Sequence, residues 1–226
     1  MKKSLSQSIH ADFLIISIGI LLLALFCVTE ILLLSTSHLM MPLERALLLL
    51  IICLLLYFGV FLHCHRTQNP IMMRRLIVLI YVLYLYFLIS ITLLDKSLGR
   101  DSGVAHLVNF VPFHSIYSIY ILGYANGLLN LYYVLLNLLG NLIAFVPFAI
   151  LTPILFRAQQ KWYVFLPTTV LTVCLIEVTQ YLLWVGCTDV DDLILNLFGA
   201  MAVFGIMRIP LIKRLVNRLL CEERLV

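Results

Sequence analysis

Charge is what this 226-residue chain has least of: 12% of its residues are Asp, Glu, Lys or Arg, while 63% are apolar. With a mean hydropathy of +1.10, it lacks the polar exterior that a water-soluble domain of this size requires, so a globular fold around one buried core is excluded. Paired cysteines are absent too. Cys27, Cys53, Cys64, Cys174, Cys187 and Cys221 form no CxxC pair, and only Cys187 falls in an outer loop, which excludes a disulfide framework. No Ser, His and Asp triad, zinc motif or phosphate-binding loop is present, and neither is a repeat, a low-complexity tract or a soluble domain. The solvent such a composition calls for is lipid.

Crossing about 30 Å of hydrocarbon takes roughly 20 helical residues. Six stretches have suitable length: 12–35, 46–62, 76–94, 128–156, 162–185 and 190–212. They are continuous runs of Leu, Ile, Val, Phe and Tyr without two-residue alternation, and a lipid-exposed backbone must satisfy its own hydrogen bonds, which a helix does within one segment. The expected fold is therefore an all-α polytopic membrane bundle of six transmembrane helices. Met1, Lys2 and Lys3 precede an apolar run too long for a signal peptide, with no small-residue cleavage site after it, so the first span reads as an uncleaved anchor.

The net charge of +4 is distributed as a topology signal and not as a nucleic-acid surface. With the N-terminus inside, the inner segments carry Lys2, Lys3, Arg66, Arg74, Arg75, Arg157, Lys161, Arg208, Lys213, Arg214, Arg218 and Arg224, while the outer loops carry Arg45, Lys96 and Arg100. That split of 12 to 3 among 15 basic residues predicts both termini in the cytoplasm of a multi-pass plasma-membrane protein.

The sequence divides into residues 1–75, with two spans and a cytoplasmic loop; 76–207, with four spans; and a basic tail, 208–226. The second span has no strongly polar residue, and the first two read as lipid-facing scaffolding, with Glu30 reaching the outer interface from about one turn inside. The string His63, Cys64, His65 reads as a juxtamembrane loop and not as a metal site. After Pro112, the spacing of Tyr117, Tyr120 and Tyr124 suits a short helix at the membrane surface. Pro147 and Pro153 predict a kink or break in the long fourth span. In the tail, Leu211, Leu215 and Leu219 alternate with Arg214 and Arg218, the pattern of an amphipathic helix held on anionic lipid.

Polar side chains are costly in hydrocarbon, so their placement is the main clue to function. At about 1.5 Å per residue, Asn137 lies roughly 14 Å inside the outer end of span four with Asn141 a turn deeper, and span five sets Glu177 roughly 14 Å and Gln180 roughly 9 Å below its outer end. Span six opens with Asp189, Asp191 and Asp192, followed a turn later by Asn196. Asn137 with Asn141, and Asp192 with Asn196, are four apart, and Glu177 with Gln180 are three apart, so each pair shares a helix face. Gly140, Gly199 and Gly205 are expected to let backbones approach closely around these faces. Two uses are open: interhelical bonding, with the aspartates complementing the positive end of helix six, or a site for a polar ligand, cation or proton. Asp189, Asp191 and Asp192 also form a weak alternative site for Mg²⁺ or Ca²⁺; no cofactor is otherwise expected.

These same residues carry a resemblance. VNFVPFHS at Val108–Ser115, NLLGNLIAFVPFAILTP at Asn137–Pro153, IEVTQ at Ile176–Gln180 and TDVDDLILNLFGA at Thr188–Ala200 resemble, in order, the motifs of the VanZ-like family of teicoplanin-resistance-associated membrane proteins. The chain departs from the family pattern at Ala149, where Gly is frequent, and at Gly186 and Cys187, where an Arg often precedes the aspartates and would partner Asp189 or an anionic ligand. The resemblance implies a bacterial cell-envelope protein connected with glycopeptide susceptibility. It directs the ligand-binding reading to a polar cluster of Asn109, Asn137, Asn141, Glu177, Gln180, Asp189, Asp192 and Asn196, in a non-enzymatic protein that binds an amphipathic lipoglycopeptide or lipid-linked precursor from the outer leaflet. The alternatives are an enzyme acting on such a precursor, with Glu177 and Asp192 as catalytic groups, or a small transporter.

Overall fold

The structure, a computed structural model, describes residues 2–33, 42–67, 69–94, 108–119, 125–127, 131–185 and 188–221. Its helices are α1 (Lys2–Leu33), α2 (Pro42–Thr67), α3 (Ile71–Ile89, extended by a wider π-type turn over Ser90–Leu94), α4 (His114–Tyr117), α5 (Leu131–Ala144), α6 (Val146–Leu155), α7 (Trp162–Leu183), α8 (Val190–Ile206) and α9 (Pro210–Leu219). Two short strands, β1 (Val108–Asn109) and β2 (Thr188–Asp189), pair in parallel, Val108 with Thr188 and Asn109 with Asp189.

Among the described residues, Ile9–Glu30, Leu43–Thr67, Ile71–Leu93, Asn137–Leu155 and Trp162–Leu183 are long and apolar enough to cross a bilayer; a sixth span requires Val190–Ile206 and Pro210–Leu219 to be counted together. Only 17–33% of each of the five spans is buried within the chain. The remaining apolar surface needs lipid around it, so this is an all-α, multi-pass membrane protein. The chain forms two compact units, Met1–Phe87 with Ile209–Val226, and Leu88–Arg208.

In the first unit, α1 and α2 pack along a narrow stripe. Asp12, Ile16, Gly19, Leu23, Phe26 and Glu30 are buried at alternating spacings of four and three, which keeps one face of α1 turned to its neighbour. Gly19 lies under Leu56, and Gly59 lies against Ile15 and Ile16, so the missing side chains bring the helices close. The ends of the stripe are ionic: Arg66 Nη1 donates to Asp12 Oδ1 at 2.7 Å, and Arg45 Nη1 to Glu30 Oε2 at 3.3 Å. Glu30 is 1% exposed and therefore does not snorkel to the interface as the sequence suggested; Arg45, across the hairpin, lets its carboxylate stay buried. The first two spans are accordingly a clamped pair, with most of the surface of each still left to lipid.

His63, Cys64 and His65 lie within α2 and not in the loop expected, at successive helical positions that diverge: the His63 ring meets Phe13 at 4.9 Å, Cys64 is buried, and His65 stacks on Phe61 at 6.2 Å. In α9 the exposed Leu211 and Leu215 share the helix with Lys213, Arg214 and Arg218, matching the amphipathic pattern. Tyr57 on α2 donates its hydroxyl to the Leu219 carbonyl at 2.9 Å, satisfying an acceptor that the end of α9 leaves open.

In the second unit, the long fourth span breaks where its prolines predict. Phe145 leaves the helical region (φ −95°, ψ 6°), and α6 restarts with Pro147 in its first turn, where a missing N–H costs nothing. Pro153 is accommodated inside α6. Behind the break, Phe145, Phe148, Phe165 and Phe204 form a buried aromatic column, with Phe165 stacked on Phe204 at 4.2 Å and 2°. Each such contact contributes about 0.5–1.5 kcal/mol beyond burial, and the column joins α6, α7 and α8. Arg208 covers its end, lying 4.4 Å over the Phe204 ring and donating to the Gln160 carbonyl.

The three glycines behave differently from one another. A Cβ at Gly199 would overlap the Leu142 carbonyl, so α8 touches the α5 backbone there; at Gly140 and Gly205 nothing lies within 4 Å, and those two do not serve the close approach expected of them. The reason is register, since Gly199 shares the buried face with Asn196 while Gly205 is exposed. Gly199→Ala should therefore destabilise the protein by about 1–3 kcal/mol, seen as a lower thermal midpoint in detergent. Gly205→Ala should unfold at or slightly above the unmodified protein's midpoint, because Ala is the better helix former.

Candidate functional site

The site lies within the second unit, around the start of α8. Helix α7 ends when Trp184 turns left-handed (φ 57°, ψ 38°), with Val185 N–H donating to the Gln180 carbonyl at 3.0 Å. The chain returns through β2, where Asp189 N–H donates to Glu177 Oε2 at 3.2 Å and the Thr188 hydroxyl to the Glu177 carbonyl at 3.4 Å. Glu177, the one carboxylate inside α7, thus receives a backbone donor from the segment that follows its own helix.

The three aspartates have separate tasks. Asp189 caps α8 by accepting from Asp191 N–H at 2.9 Å, and its Oδ1 also accepts from Asn109 Nδ2 at 2.9 Å. Asn109 in turn donates to the Ser115 hydroxyl at 3.0 Å, while its own Oδ1 accepts from Val111 N–H, so β1 and the turn after it are tied to β2. Asp191, 1% exposed, accepts backbone N–H groups from Phe113 at 2.5 Å, Ser115 at 2.8 Å and Ile116 at 3.1 Å. Asp192 Oδ1 accepts from Asn141 Nδ2, and the Asp192 carbonyl from Asn196 Nδ2 at 2.7 Å.

Asp191 explains an otherwise strained turn. Phe113 has φ 64°, a left-handed conformation costly for a residue with a ring side chain, and it offers no side-chain cap to α4. The cap comes instead from 78 residues away, through the carboxylate that collects the free N–H groups at this helix start. Phe110, Val111, Phe113 and Tyr117 are consequently held exposed, at 57–78%. Tyr117 ends α4, a single helical turn after Pro112; Tyr120 and Tyr124 lie outside the described residues.

Beside Asp192 is a cavity of about 20 Å³ whose polar lining is Thr92, Asn141, Glu177, Gln180, Asp192 and Asn196. Leu88, Ala144, Phe145, Val173 and Ile176 complete it. This is the volume of about one water molecule. Gln180 Nε2 donates to the Thr92 carbonyl at 2.9 Å, which joins the π-type turn to α7. Of the residues singled out from the sequence, Asn141, Glu177, Gln180, Asp192 and Asn196 meet at the cavity, Asn109 and Asp189 form the adjoining network, and half-buried Asn137 is not in the lining. Sequence spacing missed Thr92, because a backbone acceptor has no side-chain signature, and it missed the role of Asp191, whose carboxylate takes backbone donors from a distant segment. Among the described residues, no three His, Cys, Asp or Glu side chains gather in a way that holds a metal ion; Asp189, Asp191 and Asp192 are directed to different partners.

Asp191→Asn tests the long-range cap. With the charged acceptor lost, amide exchange at Phe113, Ser115 and Ile116 should accelerate by about tenfold or more, measured by hydrogen exchange, while α7 keeps its protection.

No curated protein and no solved structure matches the chain. Residues 75–213 match the VanZ/LLP1 family. The matched region contains β1, α4 to α8, the cavity and the network around the three aspartates. The chain is a multi-pass membrane member of the VanZ/LLP1 family.

Proposed function

We propose that this protein lowers sensitivity to a lipoglycopeptide antibiotic of the teicoplanin type by engaging an amphipathic ligand at the outer leaflet of a bacterial plasma membrane. The carrying observation is the junction at Asp191 and Asp192. One carboxylate fixes an exposed apolar turn, Phe110 to Tyr117, and the next lines a polar cavity between helices. An acyl chain lies along the first, and polar groups meet the second at Glu177, Asp192 and the neighbouring amides. The cavity takes only an atom-sized part of such a ligand, so most of its polar portion rests over the mouth.

The orientation belongs to the same proposal. With 12 of 15 basic residues on segments assigned to the inside, both termini are cytoplasmic and the aspartates face outward. The family name supports the link to teicoplanin. The absence of a recognisable triad or phosphate loop in the sequence favours binding over turnover of a lipid-linked precursor.

Expression of the unmodified chain in a susceptible host should raise the inhibitory concentration of teicoplanin. Glu177→Gln and Asp192→Asn should remove most of that protection at equal protein levels in the membrane. Full protection by both variants rejects the binding reading.

A further inference from the structure

The cavity has an asymmetry that an amphipathic ligand does not explain. Three carboxamides of the described residues line it, and each spends its NH₂ group on an acceptor: Gln180 on the Thr92 carbonyl at 2.9 Å, Asn141 on Asp192 Oδ1, and Asn196 on the Asp192 carbonyl at 2.7 Å. Turning any of these amides over would set oxygen against oxygen, so the acceptors fix their orientation. Gln180 Oε1 and Asn196 Oδ1 are buried, on residues only 5% and 6% exposed, and no donor among the described residues reaches either oxygen.

Glu177 and Asp192 add two carboxylates to the same lining, and among the described residues none that lines it is Lys, Arg or His. Oxygen acceptors therefore dominate the lining, while the apolar residues around it keep the local dielectric low. In such surroundings the negative potential acts strongly on whatever enters.

We propose that this cavity is a binding site for a small cation held by oxygen atoms of Glu177, Asp192, Gln180 and Asn196. An all-oxygen donor set suits a hard ion such as Na⁺ or Ca²⁺, and a volume of about 20 Å³ suits one ion or one protonated amine head while excluding a quaternary ammonium. The site differs from the aspartate run read in the sequence, because Asp189 and Asp191 are engaged elsewhere and only Asp192 turns to the cavity. It uses the cavity of the proposed antibiotic site but does not depend on that reading, since the ion is recognised without any drug.

The test is thermal unfolding of the full chain in detergent at constant ionic strength, with choline replaced stepwise by Na⁺, Ca²⁺ or methylammonium and no antibiotic present. At least one of the three should raise the midpoint by a few degrees in a saturable way, and its identity separates a free ion from the amine of a lipid or ligand. Glu177→Gln with Asp192→Asn should abolish the shift. Should that double variant fail to fold, Gln180→Met, which removes one of the donor-free oxygens, should weaken apparent affinity at least about tenfold. No saturable shift with any of the three cations, or an undiminished shift in a folded variant, overturns the proposal. Loss of antibiotic protection with the cation shift intact would instead reject the drug-binding reading alone.

Discussion

A carboxylate inside an apolar helical bundle must find its donors within the protein, because lipid offers none, and an unmatched charge there costs several kcal/mol. This constraint organises the second unit. Glu177, Asp189, Asp191 and Asp192 sit within a short distance along the chain's path, and each is met by a different element: the β2 backbone, Asn109, the start of α4, and Asn141 on α5. The start of α8 becomes the point at which separate segments are tied together. Sequence places four acids near one another; their donors decide which elements must converge.

The first unit answers the same constraint by another route. Asp12 and Glu30 are placed at the two ends of one α1 stripe and are matched by Arg66 and Arg45 at opposite ends of α2. Between them the helices touch through Gly19 and Gly59, so small residues supply proximity and charge pairs supply register. Here cations neutralise the acids directly. In the second unit, amides and backbone N–H groups take that role, leaving a cavity whose polar lining, among the described residues, has carboxylates and no basic side chain.

Much of this was legible in the sequence where the governing physics is local. Continuous apolar runs marked five spans, with the sixth interrupted between α8 and α9, Pro147 marked the break before α6, and the spacing of Leu211 and Leu215 with Arg214 and Arg218 marked α9. Face-sharing at three and four residues brought Glu177 with Gln180, and Asp192 with Asn196, to one cavity. Long-range matters were hidden. Nothing beside Glu30 announces Arg45, nothing beside Phe113 announces Asp191, and a glycine's neighbour depends on helix register, which is why Gly199 touches Leu142 while Gly140 and Gly205 face open space. Asn137 shares its face with Asn141, yet the lining of the cavity includes only the deeper of the two.

Polar groups from different membrane-embedded helices act on one another here and are not merely near one another. The bond between Asn141 on α5 and Asp192 on α8 is the most direct instance. A double-mutant cycle of Asn141→Ala and Asp192→Ala, read by reversible unfolding in a defined detergent, isolates it. A coupling of about 0.6 kcal/mol or more is expected, the scale of interhelical hydrogen bonds in membranes. Two effects that simply add, within about 0.3 kcal/mol, would contradict it.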